Sequence, residues 1–304
     1  MNFNPRSVLT IGNFDGIHLG HRKLLSRVQE LAAASKLQSV VLSYTDHPAF
    51  TLKSHPKPQV LMPATAKIKE LKALGIDHVE LLTFTRELAH TSAEKFLKEY
   101  LIPVWQPRII VMGYDSHFGY QREGNVEFLQ QHANSFGYCV EYVEPQLHDG
   151  QIISSSMIRK LLASARITEA NLLLGKPYAL HGIVGHGISK GRSLGFPTAN
   201  LIPENPHQLV PKSGIYLSRA TFEGKQHFGL TNIGCSPTVK HSGLVEIETH
   251  ILDFDKDIYE AQLELELLLY LREERVFRSE QELAQAISLD VATARKLIGS
   301  IPSA

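Results

Sequence analysis

The chain has 304 residues, 43% hydrophobic and 20% charged, the make-up of a globular protein with room for two average domains. Lys and Arg number 31, as do Asp and Glu, so a net charge of zero argues against bulk attraction to nucleic acid or to a membrane. Met1 to Arg6 contains no apolar core of a signal peptide, no run of about 18 apolar residues follows, and Cys139 and Cys235 form no Cys-x-x-Cys pair; together these predict a cytoplasmic protein with two reduced structural thiols.

An apolar run, Val8 to Ile11, leads into Gly12-Asn13-Phe14-Asp15-Gly16-Ile17-His18-Leu19-Gly20-His21, and a helical pattern with Leu24, Leu25, Val28 and Leu31 follows. Strand, glycine-rich turn and helix is a layout that holds phosphate, because free backbone N–H groups and the positive end of the helix dipole attract anions. The glycines let the backbone approach a ligand closely, and His18 and His21, three apart, share one face where the helix begins. The plain alternative is a βα turn with two surface histidines, and the density of Gly-x-Phe-Asp-Gly-x-His-x-Gly-His weighs against it.

Further apolar runs at 38–44, 78–84, 108–113 and 138–143 read as strands, separated by helical patterns at 20–34, 64–74, 92–101 and 123–135. Thr91-Ser92-Ala93-Glu94 has the form of a capping box. Alternating strands and helices predict a mainly parallel sheet covered on both faces, with ligands outside the carboxyl ends of its strands. At such ends stand Tyr44-Thr45-Asp46-His47-Pro48 and Gly113-Tyr114-Asp115-Ser116-His117-Phe118-Gly119, with Asn125 beyond as a possible helix cap. In Ile153-Ser154-Ser155-Ser156-Met157-Ile158-Arg159, serines at a helix start cap it and donate to phosphate, while Arg159 one turn in reaches the same anion. A serine-capped helix with a solvated arginine is the alternative there.

Residues 160–176 are helix-rich and close on Gly175-Lys176-Pro177, after which short alternating strands begin, so the expected domains are 1–178 and 179–304. Strands are expected at 180–186, 214–222, 226–234, 243–254 and 261–271; the alternation of Leu263, Leu265 and Leu267 with Gln262, Glu264 and Glu266 marks a strand with one buried face. Several such strands suggest a small antiparallel barrel, and Ser279-Glu280-Gln281-Glu282 opens a terminal helix. In Lys190-Gly191-Arg192-Ser193-Leu194-Gly195-Phe196-Pro197-Thr198-Ala199-Asn200, a glycine-basic loop suits a polyphosphate. Thr198 and Asn200 point to one side of an extended backbone and offer hard oxygen donors suited to Mg²⁺, although a plain Pro-turn has the same composition. Glu248 lies on the more polar face of its strand.

Taken together, these stretches resemble the bacterial bifunctional riboflavin kinase/FAD synthetases. The first half carries the His-x-Gly-His signature of nucleotidyltransferases, and Ile-Ser-Ser-Ser-x-Ile-Arg is similar to the family's Ile-Ser-Ser-Thr-x-Ile-Arg. The second half carries Gly-Phe-Pro-Thr-Ala-Asn, Asn232-Ile233-Gly234 with Pro237-Thr238, and Glu248-Thr249-His250, all similar to the kinase's motifs. The resemblance implies an α/β, Rossmann-like N-terminal nucleotidyltransferase domain that adenylylates FMN to FAD with release of pyrophosphate. It also implies a C-terminal riboflavin kinase-like barrel that makes FMN, with riboflavin, FMN, FAD and ATP as partners, Mg²⁺ as cofactor, and neither nucleic acid nor membrane as partner.

By residue, the resemblance implies ATP or phosphate binding at Gly12, Phe14, Asp15, Gly16, Gly20, Ser154, Ser155, Ser156, Lys190, Gly191, Arg192 and Gly195. It implies that His18, His21 and Arg159 hold and neutralise the transferring adenylyl phosphate, and that Glu248 is the kinase base. Flavin contacts fall to Asp115, Phe118, Asn125, Arg272 and Phe277, and Mg²⁺ to Thr198 and Asn200. The chain departs from the pattern at Thr45, where Asp is usual, at Ser116, where an aromatic is usual, and at His117. Three alternatives stay open: a protein with only its kinase half active, a flavin-binding regulator with a degenerate kinase barrel, and a nucleotidyltransferase for another acceptor. No oligomeric state follows from the sequence.

Overall fold

The computed structural model describes residues 6–52, 59–186, 195–235 and 245–299, and the chain divides into two compact units, 1–155 and 156–304. In the first unit the Val-, Ile- and Leu-rich runs form β1 (Ser7–Ile11), β2 (Gln38–Tyr44), β3 (His78–Leu82), β4 (Pro107–Gly113) and β5 (Cys139–Val143). All pair in parallel, in the order β3-β2-β1-β4-β5. β1 is buried along its whole length, as a strand covered on both faces must be.

One covering layer holds α1 (Leu19–Ser35) and α2 (Ala64–Ala73), whose Leu25, Val28 and Leu71 pack with Val8, Val41 and Val111 of the sheet. After a short turn, α3 (Arg86–Ala89), the other layer holds α4 (Ala93–Phe96), its continuation as a wider π-helical spiral over Leu97–Trp105, and α5 (Val126–Phe136). Leu97, Leu101 and Leu129 of that layer pack with Leu9, Leu42 and Ile110. The strand order reverses between β1 and β4, so the crevice outside their carboxyl ends lies between the loop that begins at Gly12 and the loop that begins at Gly113.

Two local expectations are corrected. Ser92, not Thr91, caps α4, accepting from Lys95 N at 3.2 Å, while the Thr91 hydroxyl donates to Glu87 O. The strand expected over 78–84 ends at Leu82. An unforeseen hairpin pairs β6 (Leu147–His148) with β7 (Gln151–Ile152). Its turn is Asp149-Gly150, with φ of 48° and 75°, the two left-handed residues that a tight two-residue hairpin demands.

α6 (Ser155–Ala163) is followed by α7 (Ile167–Leu174), which is tied to the second unit's sheet: Asn171 Nδ2 donates to Leu267 O at 2.9 Å and Asn171 Oδ1 accepts from Tyr178 N at 2.7 Å. That sheet comprises β8 (Tyr178–Gly185), β9 (Ala199–Pro203), β10 (Gly214–Phe222), β11 (Lys225–Cys235), β12 (Val245–Ile251) and β13 (Gln262–Arg272). It closes as a barrel in the order β10-β11-β12-β9-β8-β13, with every described pairing antiparallel. Ile233, Ile247 and Leu265 are among its buried side chains. Buried with them are three hydroxyls that satisfy one another: Thr231 Oγ1 donates to Ser218 Oγ at 2.7 Å and lies 2.9 Å from Thr249 Oγ1. β9 is a strand that the sequence reading leaves in a loop, because it is short and bounded by prolines. α8 (Glu280–Ile298), capped by Ser279, packs Ala294 and Val291 against Leu217 and Leu230. Among the described residues no helix is long and apolar enough to cross a membrane.

Candidate active sites

The turn after β1 is built around buried side chains. Phe14, Gly16 and Ile17 all have positive φ (49°, 82° and 42°), and burial of Phe14 and Ile17 holds this strained path in place. A Cβ on Gly12 would stand 3.1 Å from the Phe14 ring, and one on Gly20 would stand 3.2 Å from the His18 ring, so a side chain at either position would press on a ring of this turn. Asp15 is 3% exposed, and its Oδ1 accepts from Leu61 N (2.8 Å) and Met62 N (3.3 Å). Its backbone carbonyl accepts from the Ser155 hydroxyl at 2.9 Å. The Asp15 carboxylate, expected beside phosphate, instead pins the turn, a role suited to an anion that would repel phosphate.

His18 caps α1. Its Nδ1 accepts from His21 N at 3.3 Å, which leaves Nε2 to carry the proton of the neutral ring. The two imidazoles stack with centroids 3.7 Å apart, and the His21 ring lies 5.2 Å from that of Phe14. Burial, and then the neighbouring His18 and Lys67, hold the His21 pKa well below the usual histidine value. His21 is therefore a neutral ring in the free protein, and its buried Nδ1 has no partner among the described residues.

A buried cation beside this turn is Lys67 on α2, which sequence reasoning missed. It is 4% exposed and donates to Asn13 O (2.8 Å), Tyr44 O (3.0 Å) and Ser43 Oγ (3.2 Å). The available signal was its place four residues before Leu71, on the buried stripe of an otherwise polar-faced helix.

The remaining residues of this half divide. Ser154 and Arg159 are partly buried and Ser156 is exposed at the start of α6. Asp115 is exposed on the turn after β4, where Ser116 Oγ accepts from Gly113 N at 3.0 Å. Phe118, expected on the flavin, is 4% exposed and packs between Phe96 and Phe128 in the core. Asn125 caps α5, its Oδ1 accepting from Phe128 N at 2.8 Å.

In the second unit, strand register brings several of the predicted polar residues together. Glu248 of β12 is directly opposite Asn200 of β9 on one side and Asn232 of β11 on the other. Directly paired residues share a face of the sheet, so Asn200, Glu248 and Asn232 form one polar row, with Thr198 two residues before Asn200. All four are partly buried. Thr198 and Asn200 also line a pocket roofed by residues 254–259. Burial first, and then the like charges of Glu246 and Glu274, raise the Glu248 pKa above the usual carboxylate range. Asn232 Nδ2 lies 3.4 Å from Glu274 Oε1, and its buried Oδ1 has no partner among the described residues. Sequence reasoning recognised the Asn232 motif but gave the side chain no role.

Gly195 is exposed with φ 84°, and Phe277 is partly buried. The guanidinium of Arg272, expected on the flavin, is held by Asp290 of α8, with Nε 3.0 Å from Oδ1 and an η nitrogen 2.6 Å from Oδ2. Lys190, Gly191 and Arg192 lie outside the described residues.

Residues 1–157 match the family model described as FAD synthetase, and residues 174–298 match the one described as riboflavin kinase. A bifunctional riboflavin kinase/FMN adenylyltransferase from Pseudomonas fluorescens is 37% identical over 299 residues, covering 98% of this chain and 94% of that protein. Its Escherichia coli (strain K12) counterpart is 34% identical over 294 residues, covering 96% and 93%. A solved structure from Streptococcus pneumoniae, described as a macrolide-efflux protein, superposes with a TM-score of 0.86 at 28% identity, covering 96% of this chain and 95% of that one. With both family models matched and both motif sets in place, the chain belongs to the bifunctional riboflavin kinase/FMN adenylyltransferases.

Proposed function

We propose that the two reactions are divided between the two polar constellations: FMN is adenylylated at the β1–α1 turn, and riboflavin is phosphorylated at the Asn200–Glu248–Asn232 row. The observation that carries this assignment is the ladder register of Glu248 against Asn200, which sets a carboxylate of raised basicity beside a hard oxygen donor at the rim of a pocket.

The kinase nucleophile is a neutral ribityl hydroxyl, which needs a proton acceptor as it attacks the γ-phosphorus of ATP and ADP leaves. Glu248 takes that proton, and its raised pKa makes it the stronger base. Thr198 and Asn200 fit Mg²⁺ in donor chemistry, offering oxygens two residues apart where the chain enters β9. When bound there, the ion would screen the phosphate charges, and cytoplasmic residence, where ATP is supplied, belongs to the same reading. The adenylyltransferase nucleophile is the FMN phosphate, an anion that needs no base. Its attack on the α-phosphorus expels pyrophosphate, so His18 and His21 serve as oriented donors, with the α6 serines and Arg159 assigned to the same anion through the family motif.

The test is to incubate the protein with riboflavin, ATP and Mg²⁺ and to resolve FMN, FAD, ADP and pyrophosphate over time. His21→Ala should abolish FAD and spare FMN, and Glu248→Gln should do the reverse when FMN is supplied. Loss of both products from either single change in a folded protein overturns the division.

A further inference from the structure

Lys67 is a buried ammonium in which every proton has an acceptor. Its three donors meet Asn13 O, Tyr44 O and Ser43 Oγ, and Ser43 Oγ in turn donates to Asn13 O at 3.0 Å. These contacts join the loop after β1 to the last two residues of β2 from a third element, α2. The Asn13 carbonyl accepts twice from this cluster, so the acceptor of the glycine-rich turn is engaged by protein donors and is not left to face an incoming phosphate.

We propose that Lys67 is a positioning residue for adenylyl transfer: its ammonium fixes the Asn13 segment of the β1–α1 turn against the end of β2 and places a buried positive charge beside the turn. This inference rests on the assignment of adenylyl transfer to that turn. Aligned donors hold a transition state only if their loop does not move, and a desolvated cation attracts a polyphosphate more strongly than an exposed one.

The charged and titratable groups facing Lys67 are Asp15 from the β1–α1 turn, Asp46 from the loop after β2, and His21 from α1. Burial brings the Lys67 pKa down to about 8, against the pull of Asp15 and Asp46. His21 titrates well below neutrality and the Tyr44 phenol only at about 12, so neither loses its proton near pH 8.

The experiment measures kcat/KM for ATP in FAD formation, at saturating FMN, from pH 6.5 to 9.5. Wild type, Lys67→Arg, Lys67→Met and His21→Ala are compared, with FMN formation followed in the same preparations. Wild type should fall tenfold per pH unit above about pH 8. Lys67→Arg, charged throughout, should keep activity and lose that limb. Lys67→Met should be lower by roughly a hundredfold at pH 7 with FMN formation within twofold of wild type. If Lys67→Met does not fold, the wild-type limb and its removal in Lys67→Arg decide the matter. A flat wild-type profile, or a limb that survives in Lys67→Arg, overturns the inference, as does a fully active Lys67→Met. If His21→Ala keeps FAD formation, the placement of the reaction itself fails.

Discussion

Glu248 and Asn200 are direct partners across the β9–β12 ladder, so the carboxylate and the amide leave the barrel on the same face. Replacing Glu248 with Gln keeps the shape and removes the proton acceptor. Phosphorylation of riboflavin should fall by a factor of about 10² to 10⁴, the usual worth of a general base. FAD formation from supplied FMN should stay within twofold, measured in the same sample.

The raised pKa of Glu248 sets a pH dependence. A base must be unprotonated, so kcat/KM for riboflavin should decline as pH falls through that raised value. Glu246→Gln removes one of the like charges that raise it, so the declining limb should move to lower pH. The stability sign is opposite. A carboxyl whose folded pKa exceeds its unfolded one contributes stability below the unfolded pKa and loses it as pH rises through the folded pKa. At pH 7 Glu248→Gln should therefore melt no lower than wild type, as thermal unfolding can check.

Gly20 lies in the first turn of α1, where alanine would ordinarily favour the helix by about 1 kcal/mol. Here the added methyl would press on the His18 ring at 3.2 Å. Gly20→Ala should leave the melting temperature of the first unit unchanged or higher while lowering FAD formation by ten- to a hundredfold, since small misplacements of an aligning group carry such costs.

Inside the barrel, Thr231→Val withdraws the hydroxyl that Ser218 and Thr249 share. The change keeps the volume and strands two buried polar groups, at a cost of about 1–3 kcal/mol. Heat inactivation of FMN formation should shift to lower temperature, and that of FAD formation should not.

Much of this arrangement is legible in the residues, for identifiable reasons. Strands buried on both faces leave continuous apolar runs, so β1, β2 and β4 are marked nearly to their ends. The β1–α1 turn is legible because side chains at Gly12 and Gly20 would crowd the Phe14 and His18 rings. What stays hidden depends on partners distant in sequence. Lys67 reads as a surface lysine until β1 and β2 bring Asn13 and Ser43 to it. Phe118 and Asn125 sit inside a flavin-like motif, yet one ring fills the core between Phe96 and Phe128 and the other side chain caps α5. Arg272 reads as a basic strand end because Asp290, its partner, is 18 residues away on a helix. β9 has only five residues, too few for alternation to stand out.

Closure of the second sheet bears on where another strand could add to this chain. In the barrel β13 pairs with β10 along its length, so among the described residues neither of these strands is a free edge for another chain to extend. The five-stranded sheet has two such edges, along β3 and β5. The β5 margin carries an exposed Tyr142 and the exposed thiol of Cys139. A charged substitution at Tyr142 should therefore suppress strand-to-strand association along β5, in concentrated stocks or during refolding.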